Sequence, residues 1–99
     1  MSTDELKNIM KTDSSLLILD VRMPEELTGP LGKIDSVVNI PVQELEKRIS
    51  ELEKYRDKNI AVICRSGHRS AIAANILEDY GFKALNVEGG MEQFRNNEK

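Results

Sequence analysis

Thiols are nearly absent from this chain: of 99 residues only Cys64 is a cysteine, which excludes an internal disulfide, a cysteine-built zinc site and a CxxC redox pair. Whatever Cys64 does, it does as the only thiol. An excess of positive charge is also missing, since 14 Lys and Arg stand against 17 Asp and Glu for a net charge of −3. That balance argues against a general affinity for nucleic acid phosphates or anionic membranes, so neither is expected as a partner. No run approaches the roughly eighteen apolar residues of a membrane span, and no basic segment followed by an apolar run opens the chain as a secretory signal would. The expectation is a soluble cytoplasmic protein. There is a single histidine, His68, so a papain-like triad has nothing to draw on if His68 is engaged elsewhere. Internal repeats and low-complexity tracts are lacking too.

What is present is an ordinary globular composition, about 45% apolar once glycine is counted and 31% charged. The length suits one domain, residues 1–99, able to bury a single core without staples. Ser2-Thr3-Asp4-Glu5 has the spacing of a capping box, and Leu6, Ile9 and Met10 follow on one helical face. Leu16 to Leu19 reads as a buried central strand broken by Met23-Pro24, and Pro24-Glu25-Glu26 suits a first helical turn that Gly29-Pro30 stops. Val37 to Ile40 is a second strand. Val42, Leu45, Ile49 and Leu52 then predict an amphipathic helix whose charged face, alternating in sign, is a solvated surface. Ile60 to Ile63 is a third strand, and a helix is predicted from Ala71 with Ile72, Ile76, Leu77 and Tyr80 on its apolar side and Gly81 as its stop. Leu85 to Val87 gives a fourth strand, Gly89-Gly90 a turn, and Met91 to Arg95 a last short helix. Strands alternating with helices predict an α/β fold, a parallel sheet covered on both faces.

In such a sheet ligands gather beyond the carboxyl ends of the strands, where Cys64 falls. The loop after it leads into a helix whose first amides are free and whose dipole favours anions. From Asp57 to Glu78 no acidic residue intervenes, while Lys58, Arg65 and Arg69 do, with His68 beside them. A helix start and nearby cations both favour thiolate, so Cys64 is expected to be a nucleophile at neutral pH. Ser66 and Gly67 suit a tight cradle with inward amides, and Arg69 is placed to clamp an oxyanion. His68, four residues along a tight loop, is read as added charge or as pointing outward rather than as a general base.

Cys64-Arg65-Ser66-Gly67-His68-Arg69-Ser70 resembles the active-site loop of the rhodanese-like sulfurtransferases. Leu19-Asp20-Val21-Arg22 with Pro24-Glu25-Glu26, Asn39-Ile40-Pro41, Gly81-Phe82 and Val87 to Met91 resemble the family's other signatures in the family's order. The likeness runs from about Leu16 to Phe94. It implies a three-layer rhodanese-like fold with about five parallel strands and helices on both faces. It also implies a catalytic Cys64 that accepts a sulfane sulfur as a persulfide, held by the backbone amides of Arg65, Ser66, Gly67, His68 and Arg69, with no cofactor and no metal. Asp20 and Arg22 are read as structural charge partners near the sheet's carboxyl edge.

The resemblance implies a thiosulfate sulfurtransferase working by double displacement, with a small-molecule sulfur donor and cyanide or a thiol as acceptor. Since no second cysteine can resolve a persulfide internally, the acceptor comes from outside, as a small thiol or another protein. A phosphatase or arsenate reductase would need five residues between cysteine and arginine. Here there are four, and Ser70 occupies the required position. A non-catalytic module that docks a partner or senses sulfur through Cys64 is the remaining alternative.

Overall fold

The computed structural model describes residues 1–13 and 15–96. The Ser2 hydroxyl accepts from the Glu5 amide and the Glu5 carboxylate takes the Ser2 amide, each at 3.1 Å, a reciprocal cap that starts α1 at Thr3–Thr12. Leu6 of α1 is buried and Ile9 half-buried, while Met10, one turn on, is exposed. Four strands form the sheet: β1 Leu17–Asp20, β2 Val38–Asn39, β3 Asn59–Ile63 and β4 Lys83–Asn86. All pair parallel in the order β2-β1-β3-β4.

The resemblance implies about five strands; the sheet has four among the described residues, the number of strand segments read from the apolar runs. Only four segments carry an apolar run of strand length, and the N-terminal stretch that could have supplied another is committed to a helix by its cap. Three layers are present as expected. On one face Leu17, Leu19, Ile60 and Val62 meet Leu45, Leu52, Ala73, Ala74 and Leu77. On the other, Ile18, Ala61 and Ile63 meet Leu6, Met91 and Phe94 of α1 and of α3, Gly90–Asn96. Adjacent strand residues thus serve opposite cores, which is why β1 and β3 read as unbroken apolar runs.

Three helical segments differ from the sequence pattern. Residues 42–55 form 3-10 helices, Val42–Glu44 and Glu46–Tyr55, instead of one α-helix. Apolar steps explain this: Val42 to Leu45 is three residues, as are Ile49 to Leu52 and Leu52 to Tyr55, which align in a three-residue turn. The four-residue step from Leu45 to Ile49 spans the junction between the two pieces. Pro24–Thr28 is likewise a 3-10 turn. The helix expected from Ala71 begins at His68 and runs to Asp79 as α2, and its buried side is Ser70, Ala73, Ala74 and Leu77, with Ile72 and Tyr80 exposed. Small residues let α2 lie close on the sheet beside Leu77, while Ile72 and Tyr80 are turned outward.

The chain goes from β1 to one side for β2, then crosses to the other side for β3 and β4. This reversal opens a crevice beyond the adjoining ends of β1 and β3, where Asp20 pairs with Ile63 in register. Cys64 is the next residue. Among the described residues no helix is long and apolar enough to cross a membrane.

Candidate active site

Cys64 leaves β3 with its side chain almost wholly covered, 1% exposed. Three residues later Gly67 takes φ +102° and caps α2, a left-handed turn in which an added Cβ would also stand 3.1 Å from the Gly89 amide. This tight reversal aims the Gly67 N–H at the thiol, donating to Sγ at 3.1 Å. Carbonyls of the loop are drawn the other way, because Met91 N–H donates to the Cys64 carbonyl at 2.8 Å and Glu92 N–H to that of Arg65 at 3.0 Å. The first turn of α3 therefore holds the loop with oxygens outward and amides toward sulfur.

Ser70, in the first turn of α2, stands behind the thiol with its Oγ 3.3 Å from Sγ. Its hydroxyl also donates to Asn86 Oδ1 at the end of β4, at 2.5 Å. A hydroxyl has one proton, so while Asn86 takes it the thiol hydrogen faces the Ser70 oxygen, and an ionised Sγ draws the Ser70 proton to itself. Burial by itself pushes the Cys64 thiol up. Hydrogen bonding from the Ser70 hydroxyl and from the amides of Ser70, Gly67 and Ser66 outweighs it and leaves the group below the ordinary thiol value.

From the sequence neither Ser70 nor Asn86 has a role toward the thiol. Ser70 ends the segment that resembles the family's loop and fills a phosphatase arginine's place, and Asn86 falls within the fourth strand. A polar residue at the carboxyl end of the strand next to β3 is the available signal. His68 is exposed on the first turn of α2, and among the described residues it is not a partner of Sγ.

The two loop arginines are not free cations. Arg65, largely exposed, reaches Glu92 at 3.2 Å. Arg69 donates through Nη1 and Nη2 to the two carboxylate oxygens of Glu26, each at 2.8 Å, in a half-buried bidentate pair. The Arg69 hydrogen bonds hold Glu26 far below its ordinary 4.5, at about 2, and the Met23 amide adds to this. Arg69 is raised in turn, first by Glu26, with the Cys64 and Asp20 charges contributing. Beside the loop lies an open cavity of about 490 Å3, walled by Pro30 and Leu31 and rimmed by Glu25, Glu26, Glu92 and Arg65. The concentration of positive charge read from the sequence around Cys64 is thus corrected. Carboxylates 43 and 27 residues away in the chain are folded onto its arginines.

Beneath the site Arg22 and Asp20 are buried together, with Nη2 to Oδ2 at 2.7 Å. Arg22 also donates to the Gly32 carbonyl at 2.8 Å and to that of Glu26 at 3.4 Å. They are the structural charge pair expected at this edge.

A model of the rhodanese-like domain matches residues 2–97. The chain is 40% identical over 91 residues to "Putative sulfurtransferase YtwF" of Bacillus subtilis (strain 168), covering 92% of this chain and 84% of that protein. It is 41% identical over 95 residues to "Putative sulfur carrier protein YrkF" of the same organism, covering 95% of this chain but only 49% of that longer protein. Among solved structures, a rhodanese-related protein from Thermoplasma volcanium superposes with a TM-score of 0.87 at 37% identity, over 98% of this chain and 90% of that one.

Proposed function

The chain belongs to the rhodanese-like domain family, with a role of the sulfurtransferase type, and from this premise we propose that Cys64 carries sulfur as a persulfide between an external donor and an external acceptor. The Cys64 thiolate attacks the outer sulfur of a donor such as thiosulfate; a bond forms between the two sulfurs, the S–S bond of the donor breaks, and sulfite leaves with the electron pair. An acceptor thiolate, or cyanide, then attacks the terminal sulfur and releases the Cys64 thiolate. Charge balances at each step without a redox partner or metal.

One observation carries this reading: Sγ is a buried sulfur already solvated by amides of Ser66, Gly67 and Ser70 and by a hydroxyl, so charge on it or on one further sulfur is met by donors fixed in place. Arg65, Ser66, Gly67, His68 and Arg69 are the proposed surround for that added atom. A compact ring suits one sulfur better than a tetrahedral phosphoryl group, and Ser70 standing where a phosphatase arginine would fall supports the same choice. The relative named as a sulfur carrier supports a thiol on a protein as one acceptor. Intact-mass measurement after brief exposure to thiosulfate tests the proposal. One added sulfur on the wild type, lost on adding a thiol or cyanide and absent in Cys64→Ser, is the expected result. No added sulfur, or the same gain in Cys64→Ser, would sink it.

A further inference from the structure

An anionic donor needs a cation at the loop, yet the half-buried cation there is already occupied. Glu26 takes both terminal nitrogens of Arg69 with matched 2.8 Å hydrogen bonds, the geometry a sulfonate or sulfate group would itself adopt on a guanidinium. Glu26 is fixed in that position, since its Oε2 also accepts from the Met23 amide at 2.7 Å and its backbone carbonyl from Arg22. Glu25 and Glu92 add negative charge to the rim of the same cavity, and Glu92 engages Arg65. A dianion that is to be held by Arg69 must therefore displace the Glu26 carboxylate, and one entering the cavity also meets Glu25 and Glu92.

We propose that Glu26 sets donor specificity: as a built-in competitor for Arg69 it disfavours free dianionic donors such as thiosulfate, and it favours sulfane donors that bring a positive charge beside the transferred sulfur, such as ammonium-bearing persulfides. The claim rests on the sulfurtransferase reading above. In the favoured case the Cys64 thiolate attacks the terminal sulfur of R–S–SH, a Cys64 persulfide forms, and the thiolate R–S⁻ leaves with the bonding pair. The donor ammonium is met by the carboxylate rim while the Glu26 to Arg69 pair stays closed.

Loading rates of Cys64, followed by mass on the intact chain with thiosulfate and with cysteamine persulfide as donors, test this in wild type and Glu26→Gln. Glutamine keeps an oxygen for the Met23 amide. The expected result is a thiosulfate KM lower by about tenfold in E26Q, with the cysteamine persulfide KM moving the opposite way by about twofold. In an Arg69→Ala background the thiosulfate effect of E26Q should vanish, because the competition acts through that guanidinium. Equal KM values for thiosulfate with and without Glu26, or a parallel shift for both donors, would overturn the proposal. If neither protein takes up sulfur, the sulfurtransferase reading fails separately, and sulfate still decides the role of Glu26. Half-protection of Cys64 from alkylation at lower sulfate in E26Q than in wild type supports the competition, and equal protection overturns it.

Discussion

At the scale of single residues, the question is why a cysteine so well covered would ionise at all. Burial works against charge, and a cysteine in an apolar pocket is inert. Here the opposing contributions come from one side chain and three amides, with the Ser70 hydroxyl the largest of them. The rate of Cys64 alkylation against pH is therefore expected to show a midpoint below that of an ordinary thiol. Ser70→Ala should raise that midpoint, because it removes the donor that turns toward an ionised sulfur. It should also cost about 1 kcal/mol in stability by taking the Ser70 donor from the half-buried Asn86 side chain. A midpoint unmoved by S70A would mean that the amides alone hold the thiolate. Cys64 was legible as a site from its position after an apolar strand and before a helix, but its hydroxyl partner was not. Nothing in a linear sequence says that α2 begins at His68 and so buries Ser70 against the sulfur.

At the scale of elements, the loop conformation is imposed by α3 at its start, through the Cys64 and Arg65 carbonyls, and by the turn after β1 at its end, through Arg69. Gly90 opens α3 at φ +56°, and a Cβ there would stand 2.5 Å from the Cys64 carbonyl oxygen and 2.6 Å from that of Arg65. Gly90→Ala is expected to cost at least about 2 kcal/mol through strain and overpacking. It should also slow Cys64 alkylation, since the amides that donate to the loop carbonyls are pushed away; urea unfolding and the same alkylation assay check both. The turn Pro24–Thr28 acts from the other side through Glu26. Its folded pKa, about 2 against 4.5, is depressed, so its pairing with Arg69 stabilises fully above about pH 4.5 and is lost as pH falls through 2. The stability gap between wild type and E26Q should accordingly narrow over that window, and a constant gap would deny the pair a part in folding. The strands were readable because both their faces are buried. The 3-10 helices and the buried side of α2 were not, since apolar size is a poor guide where close approach of small residues to the sheet decides the packing.

At the scale of the whole molecule, the site is assembled from separate stretches of chain, and one buried ion pair within the stretch after β1 lies beneath it. The carboxylates that meet the loop arginines come from distant segments, so composition near Cys64 was a poor guide to its electrostatics, whereas the parallel sheet covered on both faces followed from the α/β pattern. Asp20 ends β1 and takes Nε and Nη2 of Arg22, which in turn holds the carbonyls of Gly32 and Glu26. Arg22 is 1% exposed, and a guanidinium so placed depends on that carboxylate. Asp20→Ala leaves the charge buried and uncompensated and is expected to cost about 3 to 5 kcal/mol in urea unfolding. Asp20→Ala with Arg22→Met removes charge and partner together, and should recover part of that loss because no ion is then left to desolvate. The recovery should not extend to the site. With Arg22 gone the Glu26 carbonyl keeps the Gly29 amide but loses its second donor, so the double variant should regain stability while Glu26 becomes easier to displace from Arg69, read as tighter protection of Cys64 by sulfate. Equal sulfate protection in the double variant and the wild type would show that the ion pair supports the fold alone, with no hold on the mouth of the site.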